Sequence, residues 1–353
     1  MSSSSAPHLP VRPGWLALSR EHAIEPELPI VDAHHHLWDR PGQRYMFDDL
    51  LADMLSGHDI RATVFVQSRS MYRASLPPEF QSVGEVEFAN GVAAQAASGL
   101  YGRSRACAAI VGSADLMLGD GVDPVLEALC RAGGDRFRGV RNQTAWHADP
   151  DIVSNPVPPR PGLLMHPQFM AGARRLAACR LTLDIWAYHT QLGEVAGLAR
   201  SCPETRIVLD HLGGPLGVGR YRNRRDEVFA QWSADLKRLA QLPNVVVKLG
   251  GLAMRIGGFD FHEQPEPPSS TTIALAWAPY VTTAIEMFGP NRCMFESNFP
   301  VDKGMVSYVS LWNAFKTMTR DMTPSERHEL FCGTAMQTYR IDAADLALEH
   351  EPA

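Results

Sequence analysis

Short, β-branched apolar runs recur along this chain at intervals that leave room for a helix between each pair, and that spacing constrains the fold more than any other feature. The runs span residues 30–36, 62–68, 106–112, 137–142, 181–187, 206–211, 244–250 and 292–298, with helical stretches expected over 83–98, 124–132, 167–178, 192–201, 224–242 and 271–288. Such an alternation belongs to parallel βα units rather than to hairpins. Eight units in about 320 residues predict an α/β fold, a single (β/α)8 TIM barrel over 26–353 with no internal boundary. No G-x-G-x-x-G or phosphate-loop motif follows the first run, which argues against a dinucleotide or nucleotide fold. Residues 1–25 mix serine, proline and charge without an apolar period and read as a tail or arm in which little function is expected. A last helix over 324–339, opened by a capping signal, is expected on the outside of the barrel.

Composition narrows the partners. At 353 residues, 45% hydrophobic and a formal charge of −6, the chain can bury a large core and offers no basic footprint for nucleic acid. It contains no run of about 20 apolar residues and no secretory signal, so no membrane partner is expected. A cytoplasmic enzyme acting on a small molecule follows, and a homo-oligomer is compatible with it. Cys107, Cys130, Cys179, Cys202, Cys293 and Cys332 form no C-x-x-C pair, which points to buried reduced thiols rather than disulfides or a cysteine zinc site.

The first run ends in Asp32-Ala33-His34-His35-His36. Side chains alternate along a strand, so His34 and His36 share one face, while Asp32 and His35 belong to different environments. Barrel chemistry gathers at the carboxyl ends of the strands. There the other runs carry Gln67 and Ser68; Arg138, Arg141 and Asn142; Tyr188 and His189; Asp210 and His211; Lys248, with Arg255 just beyond; and Glu296, Ser297 and Asn298. Four histidines, His34, His36, His189 and His211, thus converge on one mouth. Arg138 and Arg141 favour an anionic, carboxylated substrate, since guanidinium binds carboxylate bidentately. Two proline-rich loops, 146–162 and 259–268, read as stiff pocket walls, and Tyr72, Trp146, Trp186 and Phe261 as an aromatic lining.

The stretches 31–39, 136–141, 207–215, 246–251, 294–300 and 330–335 together resemble the amidohydrolase superfamily. Within it they are similar to the amidohydrolase-related branch that includes 2-pyrone-4,6-dicarboxylate lactonase and sugar-acid lactonases. The resemblance implies a hydrolase barrel that uses the first-strand histidine pair, a sixth-strand histidine and a carboxylate at the end of strand eight. Here the chain departs from the family pattern, because the usual aspartate position holds Asn298. A neutral amide cannot accept a proton, so the general base must come from elsewhere. His189 or the His262/Glu263 pair is favoured, with Glu296, as a buried acid of raised pKa, and Asp302 as alternatives. One divalent ion, zinc or manganese, can be held by His34, His36 and His189 or His211. The resemblance also implies metal-independent members, and both possibilities stay open. The expected reaction is addition of water to an ester-like carbonyl, most simply a lactone, polarised by His34, His36 and His211 or by a cation they hold. The rival readings are a metal-dependent decarboxylase of an aromatic or unsaturated acid and a non-catalytic ligand-binding barrel.

Overall fold

In the computed structural model, which describes residues 8–346, all eight expected runs form strands of one parallel sheet. They are β1 (Pro29–His35), β2 (Asp59–Val66), β3 (Arg105–Gly112), β4 (Phe137–Gln143), β5 (Thr182–Trp186), β6 (Ile207–Leu209), β7 (Val245–Leu249) and β8 (Cys293–Phe295). Each pairs with its neighbour in sequence. Closure is made just beyond β8, where Asn298 N donates to His34 O (2.9 Å) and His36 N to Phe299 O (2.8 Å). The strands are buried on both faces, which is why they read as near-continuous apolar runs.

Around the sheet lie α1 (Phe47–Met54), α2 (Val83–Ala97), α3 (Asp123–Gly133), α4 (Pro167–Ala178), α5 (Leu192–Ser201), α6 (Arg225–Ala240), α7 (Ser270–Phe288) and α8 (Tyr308–Met318). Several begin at side-chain caps. Ser269 Oγ accepts from Thr272 N (3.2 Å) at α7, and Ser307 Oγ from Ser310 N (3.1 Å) at α8. Neither α1 nor α8 follows from the sequence reading, and the same holds for a small antiparallel hairpin, Trp38–Arg40 with Gln43–Tyr45. Outward residues such as Ile110, Val140 and Leu183 pack with the helices, while Val31, Ala33, Val64, Val111, Val208 and Val246 fill the lumen.

The last helix departs from expectation. It is broken into Pro324–His328, a π turn Glu329–Gly333, and Thr334–Tyr339. Rather than lying outside the barrel, it sends Cys332, Ala335 and Tyr339 into the lumen cluster and plugs the floor. Among the described residues all six cysteines are free; Cys179 is exposed, contrary to the expected burial, and Cys130 is only half-buried. No helix of the described residues is long and apolar enough to cross a membrane.

Barrel closure is stapled by Asp32. Its carboxylate accepts from Ser297 N (2.8 Å), His34 N (3.3 Å) and the Tyr308 hydroxyl (3.0 Å), joining β1 to the segment after β8 and to α8. All of these groups are buried. Asp32→Ala strips three donors of their acceptor and is expected to destabilise the fold by about 3 kcal/mol or more, against about 1 kcal/mol for Tyr308→Phe. A urea midpoint for Asp32→Ala no lower than that of Tyr308→Phe would contradict the staple.

Candidate active site

At the carboxyl ends of the strands a cavity of about 340 Å³ is lined by His36, Arg141, Trp186, His211 and Asn298, with Trp38 from the hairpin and Ser154 and Asn155 from the loop after β4. Within that loop Ser154 is tied to the barrel. Ser154 Oγ accepts from Trp186 Nε1 (2.9 Å) and pairs with the Tyr188 hydroxyl (2.8 Å).

The floor joins three imidazoles to one carboxylate. Plain alternation from Val31 and Ala33 would turn His35 into the lumen, but the β1 register shifts between Asp32 and His35, and His34 and His36 face inward together. Their Nε2 atoms lie 3.2 Å apart. His35 instead meets Thr63 Oγ1 at 2.8 Å. His36 Nδ1 is 2.7 Å from Val66 O; a carbonyl only accepts, so the proton sits on Nδ1 and Nε2 carries a lone pair. Glu296 Oε1 accepts from His211 Nδ1 (2.6 Å) and His211 N (3.1 Å), and its Oε2 lies 3.0 Å from His34 Nδ1. Burial holds His34 and His36 well below the usual histidine range, helped by Lys248 and Arg141 respectively, so both are neutral at pH 7. Burial alone would raise the Glu296 carboxyl; His211 and His34 outweigh it and hold it at about 2. The raised pKa expected for Glu296 is therefore corrected to a lowered one, which makes it an orienting anion rather than a buried acid.

Two glycines make room for this floor. A Cβ at Gly250 would lie 2.4 Å from Glu296 Cγ, and one at Gly251 2.4 Å from His211 Cβ. His211 itself adopts a left-handed conformation (φ 54°), held by Glu296 at both its backbone and its ring.

Beneath the histidines runs a buried charge layer. Lys248 Nζ donates to Asp184 Oδ2 (2.8 Å) and lies 3.2 Å from both Asp210 Oδ1 and His34 Nδ1. Asp184 also accepts from Tyr339 (2.6 Å) and Thr182 (2.9 Å), and Arg141 faces Asp210 at 3.8 Å. Burial opposes the Lys248 charge, but Asp184, Asp210 and Glu296 outweigh it and hold its pKa above the ordinary value. Two cations, Lys248 and Arg141, thus face three carboxylates.

Asn298, at the position of the family aspartate, donates from Nδ2 to Asp302 Oδ1 (2.8 Å), which leaves its carbonyl as the free end toward the cavity. Asp302 is fully buried, and burial, reinforced by the Glu296 charge, pushes its carboxyl well above the ordinary range.

Other expected site residues lie elsewhere. His189 does not line the cavity; its Nδ1 accepts from Leu216 N (3.3 Å) and its ring packs on Tyr221, because the chain turns immediately after β5. His262 and Glu263 form a separate, partly exposed group with Asp260. Arg138 sits near the start of β4, roughly 10 Å below Arg141 at the strand's rise per residue, and reaches Arg340 O (3.4 Å) at the opposite end of the barrel. Trp146 lines a neighbouring cavity, Phe261 packs on Trp277, and neither Tyr72 nor Gln67 lines the cavity. Of the aromatic lining, Trp186 is present and Trp38 joins it. Trp38 lies within the stretch 31–39, and His8, which also lines the cavity, comes from an arm with no sequence signal of function.

His34, His211 and Glu296 offer ligand atoms within 4.8 Å of one another, a donor group of the kind that holds a divalent ion. A family model described as Amidohydrolase matches residues 31–341. The chain is 31% identical over 337 residues to the uncharacterized protein y4mH of Sinorhizobium fredii, covering 89% of this chain and 99% of that one. It is 27% identical over 330 residues to L-fucono-1,5-lactonase of Burkholderia ambifaria, covering 88% and 96%. Among solved structures it is similar to an amidohydrolase of Burkholderia multivorans with bound zinc, at TM-score 0.68 and 25% identity, covering 89% of this chain and 99% of that one. The matched span takes in seven of the barrel strands whole, β1 from Val31 onward, and the entire histidine and carboxylate floor. The chain therefore belongs to the amidohydrolase family and is an amidohydrolase-type hydrolase.

Proposed function

We propose that this protein hydrolyses the lactone of a small, carboxylated or polyhydroxylated acid. The observation that carries the reading is the His211–Glu296 pair, a cavity-lining imidazole whose Nδ1 is held at 2.6 Å by an ionised carboxylate, leaving Nε2 as its free nitrogen. A carboxylate so placed fixes the tautomer and stabilises the imidazolium once the ring takes a proton. The oxygen of a water adds to the lactone carbonyl carbon, its proton passes to His211 Nε2, and Glu296 balances the charge. The ring oxygen then leaves as the product hydroxyl and takes that proton back. Asn298 turns its carbonyl to the cavity and orients the water without accepting its proton. Arg141, backed by Arg40 and Arg69 on the same wall, binds the substrate's carboxylate or hydroxyls. Arg40, Arg69, Gln143 and Asn155 on the walls offer hydrogen bonds to the hydroxyls of a sugar-acid lactone. The similarity to L-fucono-1,5-lactonase supports this class.

The floor also fits a divalent cation. Glu296 Oε2 is buried and has only the His34 Nδ1 contact at 3.0 Å, short of a well-formed hydrogen bond, and the His36 lone pair lies beside His34 Nε2. A buried, under-neutralised carboxylate among imidazoles is favourable for zinc or manganese. His34, His36 and Glu296 would hold the ion, leaving His211 Nε2 free to take the water's proton, and the zinc-bound relative supports this reading. When bound, such an ion polarises the carbonyl and lowers the pKa of a water.

A panel of sugar-acid lactones with L-fucono-1,5-lactone among them, followed by acid release, tests the reading; no hydrolysis across the panel would end it. Chelation is expected to reduce turnover by about 100-fold, with recovery on adding zinc or manganese. Turnover indifferent to both treatments would leave His211 and Glu296 to work without an ion. Arg141→Met is expected to raise KM about tenfold or more for an anionic substrate, since a charge-assisted hydrogen bond is lost. An unchanged KM would retire that role.

A further inference from the structure

The family match begins at residue 31, so the N-terminal arm lies outside it. The arm is nevertheless held down along its described length. Lys316 Nζ donates to Ile24 O (3.0 Å) and Glu25 O (2.8 Å), and Ile24 N donates to Asn313 Oδ1 (2.9 Å). Further out, Trp15 Nε1 donates to Gln264 O (3.0 Å) and Arg12 Nη2 to His262 O (2.7 Å), fastening the arm to the loop after β7. Leu9 then packs on bare backbone, since a Cβ at Gly304 would lie 2.6 Å from the Leu9 Cβ. These anchors set His8 into the wall of the active-site cavity.

We infer that the arm is part of the substrate site and that the His8 imidazole is a specificity-determining contact on its outer wall, a reading that rests on the proposed lactone hydrolysis. The His8 ring stacks on Trp38 (6.1 Å between centroids, 17° between planes), and Trp38 stacks on His36 (5.7 Å, 21°). A row of three rings therefore runs outward from the histidine floor. His8 stands two ring spacings from His36, placed to meet the far end of a ligand rather than its reacting carbonyl. Among the described residues no hydrogen bond engages its ring nitrogens. Burial, with Arg40 and Arg141 nearby, holds the ring at about 4, so at pH 7 it is neutral and offers one donor and one acceptor. That pair of functions matches a hydroxyl, which both donates and accepts. The ligand class this points to is a polyhydroxylated lactone with a hydroxyl distal to the ester.

The test compares the full chain with its His8→Ala, His8→Gln and Arg12→Ala variants. KM and kcat are measured for L-fucono-1,5-lactone, and binding of its hydrolysis product, L-fuconate, by calorimetry. His8→Ala is expected to raise KM about tenfold, the worth of one hydrogen bond to a neutral group, with kcat changed less than about threefold. His8→Gln, which keeps a neutral donor and acceptor, should recover most of the loss, and Arg12→Ala, which loosens the arm away from the cavity, should reproduce part of it. L-fuconate affinity should fall in parallel. Hydrolysis by the wild type with KM and L-fuconate affinity unmoved by His8→Ala overturns the inference and leaves the lactonase reading intact. Absence of hydrolysis, with L-fuconate binding that still depends on His8, removes the lactonase reading and leaves the inference standing.

Discussion

The ammonium of Lys248, buried between Asp184 and Asp210, is the contact on which the rest of this barrel depends. Removing such a group from water is costly, and only neighbouring carboxylates with well-placed hydrogen bonds can offset that cost. Here they come from β5 and from the turn after β6, while the Tyr339 hydroxyl on Asp184 ties in the plug of the barrel floor. Deleting any one member would leave an uncompensated charge where water cannot reach it. The layer thereby fixes four strands and the last helix in one register, and sets the field under the histidines.

That field explains the division of labour above it. Although two cations face three carboxylates, Glu296 stays ionised because His211 and His34 stand directly against it, and it holds both His211 and the neighbourhood of His34. Neutral imidazoles at His34 and His36 are the form that binds a metal or accepts a hydrogen bond. Asn298 stands where the resemblance implies an aspartate, and Glu296, two residues earlier in the chain, stands against His211 and His34. Asn298 keeps the shape of the missing group while giving up its charge to the already anionic floor.

Much of this was legible in the sequence, for physical reasons. Parallel strands buried on both faces must be apolar throughout, so the eight runs stood out, and polar residues at their ends marked the mouth. Gly250 and Gly251 were visible as a motif whose purpose, room for Glu296 and His211, needed coordinates. What could not be read was direction within short segments. Arg138 and Arg141 lie on one strand, and nothing local says that the first belongs to the end of the barrel opposite the cavity. His189 stands at a strand end like His211, but an immediate turn draws it under a loop. The last helix looks amphipathic enough for an outer layer until the π turn rotates Cys332, Ala335 and Tyr339 inward. His8 gave no signal, because an arm's place is set by scattered anchors rather than by any period.

The plug carries a consequence for the order of assembly. Asp184 is made early and its partner Tyr339 late, so during synthesis a half-built barrel holds a carboxylate that has only Thr182 and, later, Lys248 to satisfy it. A segment that follows all eight strands in the chain thus closes the lumen from below with Cys332, Ala335 and Tyr339.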